Sequence, residues 1–159
     1  MSEEKKIKVV LLEPGKLART AEIGTSIEDL QNAVDGLIEP FYPFEEQVCI
    51  VCNDEGKING MLPNRSVKNK DGVMVDFIFG PAFICDCRGE SFDSLSDEQI
   101  ARYTKMFRYP EHLARLNGKL IGIPFNPQRE HERGIFSVGG KMFGRWDERH
   151  AMYQQASPL

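Results

Sequence analysis

Short apolar runs alternate with polar breaks along most of the chain. Residues 7–12, Ile-Lys-Val-Val-Leu-Leu, are β-branched and apolar, and predict a buried strand. Glu13-Pro14-Gly15-Lys16 has turn chemistry: proline presets φ at one corner and glycine takes a positive φ at the next. Leu17 to Ile23 then returns as the second strand of a hairpin. Thr25-Ser26-Ile27-Glu28 has the form of a capping box, and Ile27, Leu30 and Val34 lay one apolar stripe along the helix it opens. Gly36 stands where a left-handed cap would end that helix. Leu37 to Tyr42 reads as a strand that Pro40 and Pro43 confine to an edge.

Gln47 to Asn53 is apolar on both faces and predicts a strand. Asn53-Asp54-Glu55-Gly56 is a turn, and Lys57 to Asp71 is a long polar segment without periodicity, read as a working loop or simply a flexible one. Val73 to Phe79 and Pro81 to Cys87 are two further apolar runs, broken at Gly80-Pro81. Ser96-Asp97-Glu98-Gln99 is a second capping box, with Leu95 and Ile100 at the spacing of a hydrophobic staple. Ile100, Tyr103 and Phe107 form its stripe and Pro110 ends it. Beyond Pro110 the pattern weakens. Leu120 to Phe125 predicts one strand, Ile135 to Phe143 a hairpin around Gly139-Gly140, and Trp146 to Tyr153 a short helix. These elements predict an α+β fold: a mixed, mainly antiparallel sheet with two helices on one face. Residues 1–110 form the core domain and 111–159 a C-terminal extension that packs on it or projects to a partner.

Composition narrows the class. The chain has 159 residues, 41% apolar and 28% charged, enough for a core without staples. Net charge is −4, but unevenly spread: residues 1–110 carry thirteen basic and nineteen acidic groups, residues 111–159 seven and five. The acidic body disfavours nonspecific attraction to nucleic-acid phosphates or anionic lipid. The polar start and the short apolar run after it suit neither a signal peptide nor a membrane span, so the chain reads as cytoplasmic. Four reduced cysteines agree with that setting.

Several pieces of the first two-thirds resemble a known family. They are the strand before Glu13-Pro14-Gly15-Lys16, the helix end from Leu30 to Gly36, and Tyr42-Pro43-Phe44. Asn53 to Gly60, Pro63-Asn64-Arg65 and Ser94 to Glu98 complete the match, over roughly residues 6–107. The chain is similar here to an uncharacterised domain frequent on conjugative elements, plasmids and phages of Gram-positive bacteria. The resemblance implies a mobile-element setting, where small accessory proteins act on transfer, regulation or host defence. It implies no catalytic residue.

Chemistry could reside in four places. Cys49-Ile50-Val51-Cys52 and Cys85-Asp86-Cys87 supply enough thiolates for a zinc ion. Yet an offset of three in a strand puts Cys49 and Cys52 on opposite faces, which favours buried structural thiols. His112, His131 and His150 fall in no metal-binding motif. In the polar loop, Asn59 and Asn64 offer donors and acceptors, Arg65 a planar fork for carboxylate or phosphate, and Lys57 a charge. These four are the candidate ligand or partner contacts, against the alternative that they only hold the loop in shape. Arg129, Arg133, Arg145 and Trp146 of the basic extension are candidates for nucleic-acid or partner contact, against a solvated surface.

No Gly-rich phosphate loop, nucleophile elbow or dinucleotide fingerprint is present, and no cofactor is expected. The expected function is a non-enzymatic binding protein of a mobile element, docking to a host protein complex such as a defence system. The alternatives are a small-ligand or nucleotide-binding domain using the Lys57 to Arg65 loop, and nucleic-acid contact through the extension. No membrane partner is expected.

Overall fold

The computed structural model describes residues 5–129 and the strands Phe136–Val138 and Lys141–Phe143. In chain order the elements are β1 (Lys6–Leu12), β2 (Arg19–Gly24), α1 (Ile27–Val34), β3 (Ile38–Phe41) and β4 (Val48–Asn53). Next come β5 (Pro63–Lys68), β6 (Met74–Phe79), β7 (Ala82–Asp86) and α2 (Asp97–Met106). The last are β8 (Glu111–Leu116), β9 (Lys119–Pro124), β10 (Phe136–Val138) and β11 (Lys141–Phe143). The fold is α+β. A five-stranded antiparallel sheet of order β2-β1-β7-β4-β3 is joined by three two-stranded ribbons, β5-β6, β8-β9 and β10-β11. β10 and β11 pair on either side of Gly139-Gly140, as their spacing predicts.

The central strands β1, β7 and β4 are buried on both faces, and residue parity decides which face each side chain meets. Ile7, Val9, Cys49, Val51, Phe83 and Cys85 pack with Leu30 and Val34 of α1. Val10, Leu12, Val48, Ile50, Ala82 and Ile84 pack with Tyr103 and Phe107 of the α2 segment. The two helices therefore lie on opposite faces, not on one face as the sequence reading had them. A helical stripe says that a helix packs, not on which side. The double-sided apolar pattern of β4 was the clue that both sides are covered.

Local capping follows the sequence with small shifts. Ser26, not Thr25, caps α1, its Oγ accepting from the Asp29 amide at 3.1 Å. The left-handed residue at its end is Asp35 (φ 60°), one place before Gly36. The amide of Gly36 reaches back to the Gln31 carbonyl at 3.0 Å, and the Asn53 side chain donates to the carbonyls of Val34 and Asp35. In α2 the Ser96–Gln99 capping box is complete.

The larger correction concerns the polar segment from Lys57 to Asp71. Six of its fifteen residues are β5, paired with β6 and buried from Pro63 to Val67. Hydrophobic pattern misses this strand because Asn64, Arg65 and Ser66 are among its buried residues. Arg65 is fully buried, and its guanidinium gathers carbonyls from two distant segments. Nε donates to the Phe107 carbonyl at 2.7 Å, and Nη2 to Arg108 at 3.4 Å. These carbonyls at the end of α2 lack helical partners and carry the negative end of its dipole. The fork also donates to the carbonyls of Glu13 (3.2 Å) and Lys16 (2.5 Å), which bracket the β1–β2 turn. Asn64 completes the hub by accepting from Arg65 and donating to the Leu12 and Gly80 carbonyls at 2.9 and 2.8 Å. Burial pushes the guanidinium down to about 10, against the opposing fields of Glu111 and Glu13. It stays charged at neutral pH, with every fork proton available to donate.

The segment after Pro110 begins as part of the body. β8 and β9 form a hairpin whose turn residues Asn117 and Gly118 take φ of 52° and 80°. The sequence reading saw only the second strand. Leu113 is fully buried against Phe77 and Phe79, and His112 is buried and stacked on Phe125 at 3.8 Å. Glu111 accepts from the Ser66 amide and hydroxyl at 3.1 and 2.6 Å, tying β8 to β5.

Two stability predictions follow from this packing. Arg65→Ala removes a buried guanidinium together with its bonds to four carbonyls and to Asn64, and should cost about 3–5 kcal/mol in urea unfolding. The exposed Arg19→Ala should cost less than about 1 kcal/mol. Leu113→Ala should cost about 2–4 kcal/mol if residues beyond 110 belong to the cooperative unit, and close to zero if they do not.

Candidate functional site

A cleft of about 820 Å³ opens where the end of α2, the β3–β4 connection and the β5–β6 ribbon meet. α2 presents Arg102, Tyr103 and Met106 to it on successive turns, and Phe107 follows. Phe44 packs against Tyr103 and Phe107 at ring separations of 4.8 and 6.2 Å, so the floor is aromatic. Ser66 and Lys68 come from β5, and Glu111 from the start of β8. The far rim is the β5–β6 turn, held by Asn69. Its Oδ1 accepts from the amides of Asp71 and Val73, while Gly72 takes a φ of 78°.

The charged groups of the cleft bond largely to one another. Glu46 accepts from the Tyr103 hydroxyl and pairs with Arg102 at 3.2 Å. Arg102 also lies over the Tyr103 ring, 5.3 Å from its centroid. Burial, and then the Glu46 bond and charge, push the Tyr103 hydroxyl upward, so it remains a donor at any physiological pH. Lys70 reaches Glu45 at 3.5 Å across the rim. Met106, by contrast, turns an apolar side chain to solvent, 57% exposed.

The sequence-predicted contacts do not converge here. Lys57 is exposed and paired with Asp76 at 2.9 Å, and Asn59 is exposed in the turn after β4. Asn64 and Arg65 are buried in the hub, so their polar groups serve the fold rather than a ligand at the surface. They do set the cleft, because Arg65 anchors the end of α2 beside it. Arg129 is exposed at the end of the continuous described stretch, residues 5–129. Arg133, Arg145, Trp146, His131 and His150 lie outside the described residues. The cleft residues Phe44, Glu46, Arg102 and Met106 carried no sequence signal beyond the helical stripe at Tyr103 and the Tyr42-Pro43-Phe44 segment.

The cysteines divide as strand parity requires. Cys49 and Cys85 are register partners on the α1 face, with Cys87 packed beside them, whereas Cys52 lies on the opposite face. Among the described residues no group of three or more His, Cys, Asp or Glu is placed to hold a metal ion. Cys52 is pushed up to about 11, by burial first and then by the Glu39 carboxylate. Its native-state alkylation by iodoacetamide should therefore be slow at pH 7.5 and rise about tenfold per pH unit towards 11, since only the thiolate reacts. Mass spectrometry of the Cys52 peptide over time checks this.

No helix among the described residues is long and apolar enough to cross a membrane. No curated protein and no solved structure matches the chain. The family described as Domain of unknown function (DUF3846) matches residues 7–108, from β1 to the end of the α2 segment. That span holds the five-stranded sheet, both helices and most of the cleft, and the chain belongs to the DUF3846 family.

Proposed function

We propose that this chain is a non-enzymatic accessory protein of a mobile genetic element. It docks onto a protein partner through the cleft beside α2, and the partner is a host complex such as a defence or regulatory system. The mobile-element setting comes from the resemblance described above; the family description assigns no function. The observation that supports docking is the state of the polar groups. Glu46, Arg102 and Tyr103 bond together, as do Ser66 with Glu111 and Lys70 with Glu45. What remains accessible is an apolar patch, the Phe44 floor and the exposed Met106, with the exposed Lys68 and Asn69 on the β5–β6 side. A flexible thioether beside an aromatic floor, rimmed by paired charges, suits an interface anchor with a polar rim.

A small ligand in the same cleft is the second reading. Its support is the volume, about 820 Å³, inside the range of roughly 300–1,000 Å³ typical of small-molecule sites.

The two readings separate in one experiment. Tagged protein is purified from a Gram-positive lysate, and both proteins and small molecules that stay with it are identified. Docking predicts a stoichiometric protein that is lost with Met106→Asp and kept with Ile27→Asp, a substitution at an exposed apolar site on α1. A retained small molecule lost with Met106→Asp supports the second reading. A partner indifferent to Met106 removes the cleft from both.

A further inference from the structure

The face of the sheet opposite the cleft carries three thiols in one cluster. Cys49 of β4 and Cys85 of β7 are direct cross-strand partners, both fully buried, with sulfurs 3.8 Å apart. Cys87, two residues on, packs on the same face and is half-exposed. The Cys87 amide donates to the Gln47 carbonyl at 3.0 Å, which marks that pair as hydrogen-bonded. Two residues along in register, Cys49 and Cys85 form the same kind of pair, with Cα atoms about 5.5 Å apart. That lies within the roughly 4.4–6.8 Å of Cα separation a disulfide spans, but the Cβ atoms of a hydrogen-bonded pair start nearer about 5.5 Å than the roughly 3.5–4.5 Å of the bonded state, so β4 and β7 must draw together as the bond forms.

We propose that Cys49 and Cys85 form a reversible disulfide when the protein meets a peroxide, tying β4 to β7 at the centre of the sheet. Either sulfur can donate in the contact between them, and Cys49 is taken as the first to be oxidised. Cys85 is shifted upward, chiefly by its bond to Cys49, and keeps its proton until it attacks. Cys87 is the thiol of the three that lies nearest the surface, partly exposed beside the buried pair. Cys52 lies across the sheet and takes no part.

The chemistry balances with hydrogen peroxide as oxidant. The Cys49 thiol loses its proton, and the thiolate attacks one peroxide oxygen. The O–O bond breaks, and hydroxide leaves and takes up that proton as water. Cys49 is now a sulfenic acid. The Cys85 sulfur attacks Cys49 Sγ, the S–S bond forms and the S–O bond breaks. The oxygen leaves as a second water with the Cys85 proton. Two thiols lose two electrons and one peroxide becomes two waters.

The test treats the reduced full-length protein with hydrogen peroxide, then alkylates it under denaturing conditions and maps the peptides by mass spectrometry. Alkylatable thiols should fall from four to two, with a Cys49–Cys85 link inside one chain, and dithiothreitol should restore four. Cys49→Ala should abolish the link, and Cys87→Ala should retain it. Four thiols surviving in the unsubstituted protein would overturn the proposal, as would a link to Cys87 or a link between chains. The unsubstituted arm decides the matter even if a variant fails to fold.

Discussion

The Arg65 guanidinium sits where three parts of the chain must meet. The β1–β2 turn and the end of α2 each bring backbone carbonyls to this point, where Arg65 of β5 donates to them. A planar fork with five protons can serve several carbonyls at once, which a lysine ammonium on a flexible stem does less well. The bonds to Phe107, Arg108, Glu13 and Lys16 span more than forty residues of sequence from Arg65 in each direction. Burying a charge is costly, and here the cost is offset by those bonds and by the carboxylates of Glu111 and Glu13.

The hub has consequences at the surface. The end of α2 is held by Arg65, and the next residues of β5, Ser66 and Lys68, line the cleft. Ser66 in turn holds Glu111, which seats the β8–β9 hairpin against β5. One buried side chain thus sets the spacing between the aromatic floor and the polar rim. On the opposite face of the sheet the Asn53 side chain holds the end of α1 by its bonds to the Val34 and Asp35 carbonyls. That face is closed by α1 over apolar side chains and three thiols.

Much of this fold was legible in the sequence, and the failures share a cause. Both helices, the strands β1, β4 and β7, and the edge position of β3 follow from apolar period and from Ser and Pro placement. The parity argument that splits Cys49 from Cys52 also holds. β5 was missed because Pro-Asn-Arg-Ser-Val-Lys hides a buried strand behind polar residues, whose partners are far away in sequence. The Asn117-Gly118 signal for the β8–β9 hairpin was present, but Glu111 to Leu116 carries too few apolar residues to read as its first strand. The candidate site was misplaced for the same reason. Asn64 and Arg65 looked available for a ligand because hydrogen bonds across 40 to 50 residues are invisible to local pattern. The cleft residues were passed over because they come together only when α2 crosses the β3–β4 connection.

The side chain of Arg65 can be observed directly. Nitrogen-15 NMR of the native protein, with assignment of the arginine Nε–H signals, reports how each exchanges with water. The account predicts that the Arg65 Nε proton is visible at neutral pH and exchanges orders of magnitude more slowly than that of the exposed Arg102. An Arg65 signal exchanging as fast as an exposed arginine would mean the guanidinium is not locked on these carbonyls. The hub, and the cleft it positions, would then have to be abandoned.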